Sequence, residues 1–119
     1  MNEFKDLNEL ADAIARENEA KGFNMNIENK AEVITALALI TTEVAEAIEE
    51  VRMKEVTLLK YCEGKPCGLY SEIIDILIRT LDLMGRYKRQ SKLKINFQTV
   101  FSDKLNYNKT REHKHGKAL

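Results

Sequence analysis

Residues that interrupt helices are scarce in this chain. It has a single proline, Pro66, and five glycines in 119 residues. The long segments between them carry apolar side chains at helical spacing, whereas proline is the residue that a helix interior tolerates least. The pattern therefore predicts an all-α protein, built from a few long helices in the manner of a four-helix bundle.

Four helices are predicted, within a single domain of residues 1–119. Their bounds are about 3–21, 29–54, 69–88 and 96–108, with a loop over about 60–68 and a flexible polar tail over about 110–119. Asn29 is a suitable N-cap for the second helix, and Glu32 follows at the spacing of a capping box. Asn96 can cap the fourth helix in the same way.

The second and third helices are apolar over more than one face. The residues concerned are Val33, Ile34, Leu37, Ile40, Val44, Ile48 and Val51, then Ile73, Ile74, Ile76, Leu77, Ile78, Leu81, Leu83 and Met84. In a monomeric four-helix bundle each helix keeps a solvated side, so this excess predicts a second chain. We expect a bundle that is completed by homo-oligomerisation, with a homodimer as the simplest closed form and a homotetramer as the other.

The chain shows no sign of export or of a membrane span. Its first residues are polar and lack the apolar core of a signal peptide, and no stretch approaches the roughly 20 apolar residues of a spanning helix. We therefore expect a cytoplasmic protein. Cys62 and Cys67 are then expected to be free thiols in the loop, because a zinc site with His113 and His115 would need an irregular ligand spacing.

Two pairs of acids interrupt the apolar helices. Glu43 and Glu46 lie on the second helix and Glu72 and Asp75 on the third, and a spacing of three places both members of each pair on one helix face. Acids on an inward apolar stripe are costly unless a cation meets them. If the two helices pack together, the four carboxylates offer hard oxygen ligands for Mg²⁺, with Mn²⁺ as a possible substitute.

The other charges near these pairs have simpler explanations. Glu49, Glu55 and Asp82 are expected to be solvated surface acids, and Arg79 to form an ion pair with Asp75 one turn away. Charge is also distributed unevenly: residues 1–82 hold 17 acids and 9 bases, and residues 83–119 hold 2 acids and 10 bases. The basic part is consistent with simple solvation or with binding of a polyanion carried by the metal, and no specific nucleic acid partner is expected.

The paired motifs resemble those of a known family. Glu-x-x-Glu, then 25 residues, then Glu-x-x-Asp is similar to the pattern of the all-α nucleoside triphosphate pyrophosphohydrolases: MazG, the dimeric dUTPases, the dCTPases and phosphoribosyl-ATP pyrophosphatase. The segments 73–83 and 104–111 look like those of small MazG-like proteins, and the resemblance covers about residues 29–117. One departure is clear, since Thr42 and Ser71 stand where the MazG motifs often have a further glutamate.

This resemblance implies a reaction and a set of roles. It implies hydrolysis of a nucleoside triphosphate between its α and β phosphates, with catalytic metal ligands Glu43, Glu46, Glu72 and Asp75. It also implies that Lys104, Asn108 and Arg111 contact the phosphates or the sugar. The candidates for contacts with the base are Asn8 and the segment 23–26.

Other functions are compatible with the same residues. A ferritin-like di-iron bundle also gathers carboxylates from several helices, but it needs Glu-x-x-His, and the predicted helices contain no histidine. A noncatalytic helical interaction module, or a degenerate family member, would leave the acids merely solvated. Within the enzyme class, a base-specific dCTP or dUTP hydrolase and a phosphoribosyl-ATP pyrophosphatase are alternatives to a broad hydrolase of NTP or dNTP.

Overall fold

The structure is a computed structural model, and it describes residues 3–111. It contains helices α1 Leu7–Ala20, α2 Lys30–Arg52, α3 Leu69–Gln90 and α4 Phe97–Thr110, and strands β1 Lys60–Cys62 and β2 Lys65–Cys67. The prediction of an all-α protein is confirmed for these residues, with one short hairpin as the exception. The predicted tail lies outside the described residues beyond Arg111.

Side-chain caps set the starts of three helices. Asn29 accepts hydrogen bonds from the backbone N–H groups of Ala31 and Glu32, and Asn96 accepts one from Thr99, so both predicted N-caps are present. The predicted capping box is wrong, however, because the Glu32 carboxylate accepts from the backbone of Asn26 and not from that of Asn29. The first helix begins at Leu7 rather than near residue 3, because the Asp6 side chain caps it by accepting from Glu9 N–H.

The predicted loop before the third helix contains a β-hairpin. Cys62 and Lys65 face each other across a two-residue turn in which Glu63 and Gly64 both have positive φ, at 55° and 82°. Such a turn matches the right-handed twist of paired strands. The two cysteines are free thiols, as expected, but they lie on the strands of this hairpin.

Helix α3 is the central element and packs against both α1 and α2. Small side chains allow the close approach of α1: a Cβ at Gly85 would lie 2.8 Å from the Cβ of Ala15, and even nearer to the backbone of Ala11. Leu81 on α3 is buried in the same region. The other neighbour of α3 is α2, and this α2–α3 contact brings the acids of the two helices together.

Much apolar surface is left uncovered in the single chain. Exposed residues include Ile34, Leu37, Val44, Ile48 and Val51 on α2, Ile73, Ile74 and Leu77 on α3, and Val100, Phe101 and Leu105 on α4. The Cα radius of gyration is 16.6 Å, whereas a compact domain of this length has about 13 Å.

Among the described helices, none is long and apolar enough to cross a membrane.

Candidate metal and nucleotide site

Three of the four predicted carboxylates meet between α2 and α3. Glu43, Glu46 and Glu72 each offer an oxygen, and these oxygens lie within 4.8 Å of one another. We call these three residues the carboxylate cluster. Glu43 is 8% exposed, Glu72 is half-buried and Glu46 is exposed, so the cluster runs from the protein interior to the surface.

Asp75 lies beside the carboxylate cluster without belonging to it. Its negative charge acts on Glu72, whose pKa it helps to raise. Asp75 also lines the large cavity described below, together with Glu43. Asp75 is therefore close enough to influence the cluster electrostatically, and it shares the cavity wall with Glu43.

Glu72 lies in surroundings that disfavour its negative charge. Burial raises its pKa above the ordinary value, and the negative charges of Glu46 and Asp75 raise it further. Its Oε2 atom is buried and has no hydrogen-bond partner among the described residues. A buried carboxylate oxygen next to other carboxylates is a costly arrangement that a cation would relieve.

The arginine of α3 pairs with a different acid from the one predicted. Arg79 Nε donates to Glu43 Oε1 at 2.7 Å, across the α2–α3 interface. The predicted pair with Asp75 is therefore wrong. Helix packing brings Glu43 within reach of the Arg79 guanidinium. A buried carboxylate gains more stabilisation from a charged hydrogen-bond donor than a carboxylate that water already hydrates.

A cavity of about 740 Å³ opens next to the acids. Its walls come from the end of α1, the α1–α2 connection, and the facing sides of α2 and α3. The lining residues are Asn18, Phe23, Asn24, Met25, Ala31, Glu32, Thr35, Ala36, Leu39, Glu43, Asp75, Ile78, Arg79, Asp82, Leu83 and Arg86. Pockets for small ligands commonly measure about 300–1,000 Å³ and combine apolar walls with a few polar groups.

The far end of this cavity is organised by an arginine that the sequence analysis missed. Arg86 is 3% exposed, and its Nε donates to Asp82 Oδ1 at 2.9 Å while its Nη2 donates to the Phe23 carbonyl at 2.6 Å. Asp82 is therefore not a solvated surface acid, contrary to the prediction. The spacing of four between the two residues was the available signal, since it favours an ion pair within one helix.

The candidates for base contacts have separate positions. Phe23, Asn24 and Met25 line the cavity. Asn8 does not line it, because its side chain connects α1 to α4: Oδ1 accepts from Phe97 N–H at 2.7 Å and Nδ2 donates to Asn96 at 2.9 Å.

The three predicted phosphate-binding residues are not brought to the cavity within one chain. Lys104 and Arg111 are exposed and Asn108 is half-buried, and none of them lines the cavity. Lys104 instead lies over the ring of Tyr107, 5.5 Å from its centroid. The reason is the docking of α4, which within the described part of the chain contacts α1 but neither α2 nor α3.

Two further candidates for metal ligands do not enter the site. His113 and His115 lie outside the described residues. Cys62 and Cys67 lie on the two paired strands of the hairpin, where the nearby Cys67 thiol raises the pKa of Cys62 and Cys67 Sγ donates to the Lys65 carbonyl. Neither thiol belongs to the carboxylate cluster.

Comparison with known proteins gave no match to a family model, to a curated protein or to a solved structure.

Proposed function

We propose that this protein is a Mg²⁺-dependent nucleoside triphosphate pyrophosphohydrolase, which cleaves NTP or dNTP to the monophosphate and pyrophosphate. The observation that carries the proposal is the convergence of Glu43, Glu46 and Glu72 oxygens within 4.8 Å. A cavity of about 740 Å³ supports it, because Glu43 of the cluster and the neighbouring Asp75 both line this cavity. This volume suits a nucleotide, and the resemblance of the paired motifs gives the reaction class.

The donor set fits a hard divalent cation. Mg²⁺ and Mn²⁺ prefer carboxylate oxygens, and Glu72 Oε2 is a buried carboxylate oxygen with no hydrogen-bond partner among residues 3–111. Glu43, Glu46 and Glu72 would hold the ion, and Asp75, which lies beside them, remains our predicted fourth ligand. When bound, such a cation neutralises charge on substrate phosphates and lowers the pKa of a bound water.

Side chains in the carboxylate cluster and in the cavity wall would supply proton transfer and nucleoside binding. Glu46 is the exposed member of the carboxylate cluster, so its carboxylate is the one best placed to accept a proton from an attacking water. Leu39 and Leu83 provide apolar walls for the nucleoside. Phe23 is 65% exposed at the cavity and offers an aromatic face on which a base can stack.

Assembly is part of the proposal. Lys104, Asn108 and Arg111 remain our predicted phosphate contacts, and α4 of a second copy would supply them. The uncovered apolar residues of α2 and α4 support a homodimer or a homotetramer. Sedimentation at micromolar concentration tests this, and a clean monomer would contradict it.

The main experiment is a substrate panel. Ribo- and deoxynucleoside triphosphates and phosphoribosyl-ATP are incubated with Mg²⁺, Mn²⁺ or EDTA, and the products are resolved. We expect monophosphate and pyrophosphate with either metal and no turnover in EDTA, and the preferred base separates a broad enzyme from a dCTP or dUTP hydrolase. Diphosphate plus inorganic phosphate would exclude cleavage between the α and β phosphates.

Variants of the acids locate the site. Glu46→Gln and Asp75→Asn each remove a charge with little change in volume, so we expect loss of turnover with the helical circular dichroism signal retained. Glu49→Gln is the matched control, because Glu49 lies on the same helix but is exposed and pairs with Arg52. Full activity in either test variant would remove that residue from the site.

A noncatalytic helical interaction module is the second candidate. The observation in its favour is the large uncovered apolar surface of α2, α3 and α4, which a protein partner would also bury. This candidate predicts no turnover of any triphosphate and no binding of Mn²⁺, and the substrate panel with a metal titration distinguishes the two.

A further inference from the structure

A triphosphate in the cavity needs cationic partners from the protein. Within residues 3–111, two cationic side chains line the cavity, Arg79 and Arg86. Lys104 and Arg111 of the same chain do not reach it. The question is which of the two arginines is available to a phosphate.

Arg86 has a structural role. Its side chain is 3% exposed, two of its nitrogens bind Asp82 and the Phe23 carbonyl, and the third, Nη1, is buried without a hydrogen-bond partner among the described residues. Moving this guanidinium out of the interior would deprive the half-buried Asp82 carboxylate and the Phe23 carbonyl of their donor, which is unfavourable. Arg86 therefore holds the α1–α2 connection against α3 and keeps the shape of the cavity.

Arg79 is arranged differently. Its side chain is 43% exposed, and its Nε makes one ion pair, with Glu43. Among the described residues its Nη1 and Nη2 atoms donate no hydrogen bond. It therefore presents donors of a charged fork at the acidic end of the cavity, and guanidinium groups bind phosphate through such paired donors.

The partner of Arg79 belongs to the carboxylate cluster. Glu43 is both the acceptor of the Arg79 bond at 2.7 Å and a member of the group whose oxygens lie within 4.8 Å of one another. The positive charge of Arg79 offsets the negative potential that Glu43 offers to a divalent ion. Arginine and metal thus compete for Glu43, while Glu43 and phosphate compete for the arginine.

We propose that Arg79 is a phosphate-binding residue. Without ligands its guanidinium is paired with Glu43, and it would turn to the substrate phosphates when Glu43 binds the metal. This inference rests on the proposed function and adds a coupling to it. Each ligand removes the competitor of the other, so metal and polyphosphate bind cooperatively. A residue that only oriented Glu43 would not create such a coupling.

The test measures two affinities in Arg79→Gln. We expect Mn²⁺ alone, followed by electron paramagnetic resonance, to bind about 5-fold more tightly than to the wild type, because a competing charge is gone. We expect inorganic tripolyphosphate in excess Mn²⁺, followed by calorimetry, to bind at least about 10-fold more weakly, because a charge-assisted contact is lost. Tripolyphosphate carries no base, so the result does not depend on base specificity.

Two further variants complete the test. Arg79→Lys keeps the charge and should retain more tripolyphosphate affinity than Arg79→Gln. Arg52→Gln removes the same charge from an exposed arginine, whose side chain is 73% exposed at the end of α2, and should leave both affinities unchanged. Thermal unfolding by circular dichroism confirms that each variant folds.

The possible failures can be told apart. Weaker Mn²⁺ binding in Arg79→Gln, unchanged tripolyphosphate affinity, or equal losses in the Gln and Lys variants would each overturn the role of Arg79. These outcomes leave the proposed function standing if the wild type binds Mn²⁺ and hydrolyses a triphosphate. A wild type that does neither would overturn the proposed function, and this inference with it.

Discussion

The strongest single test of the carboxylate cluster is a stability measurement on Glu72→Gln. Glu72 has a raised pKa, first because burial disfavours its charge and then because Glu46 and Asp75 repel it. Its Oε2 also lacks a hydrogen-bond partner in the described structure. In the absence of metal, ionised Glu72 is therefore unfavourable to folding, and the neutral amide should make the protein more stable.

The geometry gives the size of the effect. Oxygens of Glu72 and Glu46 lie within 4.8 Å, and two unit charges at that separation repel by about 1 kcal/mol in water, the appropriate medium because Glu46 is exposed. Repulsion by Glu43 is left out because Arg79 neutralises that carboxylate. This repulsion alone should give Glu72→Gln about 1 kcal/mol more unfolding free energy at neutral pH in EDTA, which raises the urea midpoint by roughly 0.5 M. Burial of Glu72 and the charge of Asp75 act in the same direction.

The stability advantage of Glu72→Gln over the wild type should increase with pH. Because the folded-state pKa of Glu72 lies above its ordinary value of 4.5, the folded protein binds this proton more readily than the unfolded chain does. Wild-type stability should therefore fall as pH rises from about 4.5 through the folded-state pKa. The Gln variant lacks this group, so its advantage should be small at pH 4 and fully developed above the folded-state pKa.

Metal should reverse the order of stability, so that the wild type becomes more stable than Glu72→Gln. Mg²⁺ at ten times its Kd should stabilise the wild type by about 1.4 kcal/mol through mass action. Glu72→Gln should gain much less, since it lacks a ligand. Urea unfolding in EDTA and in Mg²⁺ measures both arms, with Glu49→Gln as the control for loss of one charge from an exposed position. A Gln variant that is less stable than the wild type in EDTA would refute the reasoning.

Three predictions concern the scaffold around the site. Gly85→Ala should destabilise the protein by about 2 kcal/mol in urea unfolding, because its Cβ would crowd Ala15 and push α1 off α3; an unchanged midpoint would contradict this. Asn8→Ala leaves Phe97 N–H without its acceptor, so amide exchange in α4 should accelerate more than in α2. Arg86→Met should cost about 2 kcal/mol by leaving the half-buried Asp82 carboxylate without its charged donor, and a neutral result would show that water replaces the guanidinium.

Local signals in the sequence were sufficient for most of the helices. Asn29 and Asn96 were recognised as N-caps because a capping side chain needs only its own neighbours in the chain. The hairpin was missed because its turn, Glu63-Gly64, is flanked by strands of only three residues each. Such short strands have almost no periodicity from which to recognise them.

The site shows where sequence reasoning stops. A helical spacing of three places Glu43 with Glu46, but it gives no information on which helix faces them. The partner of Arg79 was predicted within its own helix, whereas it lies 36 residues earlier, on α2. The packing of α2 against α3 decides that contact, and the distances between side chains on different helices cannot be obtained from periodicity.

The position of α4 connects assembly to the proposed chemistry. Val100, Phe101 and Leu105 are about half exposed on a helix that contacts α1 alone among the described elements. Full burial of such side chains is worth about 1.5–3 kcal/mol each, so covering the remaining half of all three would contribute several kcal/mol to association. The same contact would fix the direction of Lys104 on that helix and of Arg111 directly after it. Turnover per chain should therefore fall on dilution, over the concentration range in which sedimentation shows the oligomer dissociating, whereas constant turnover in the monomer would mean that one chain suffices for catalysis.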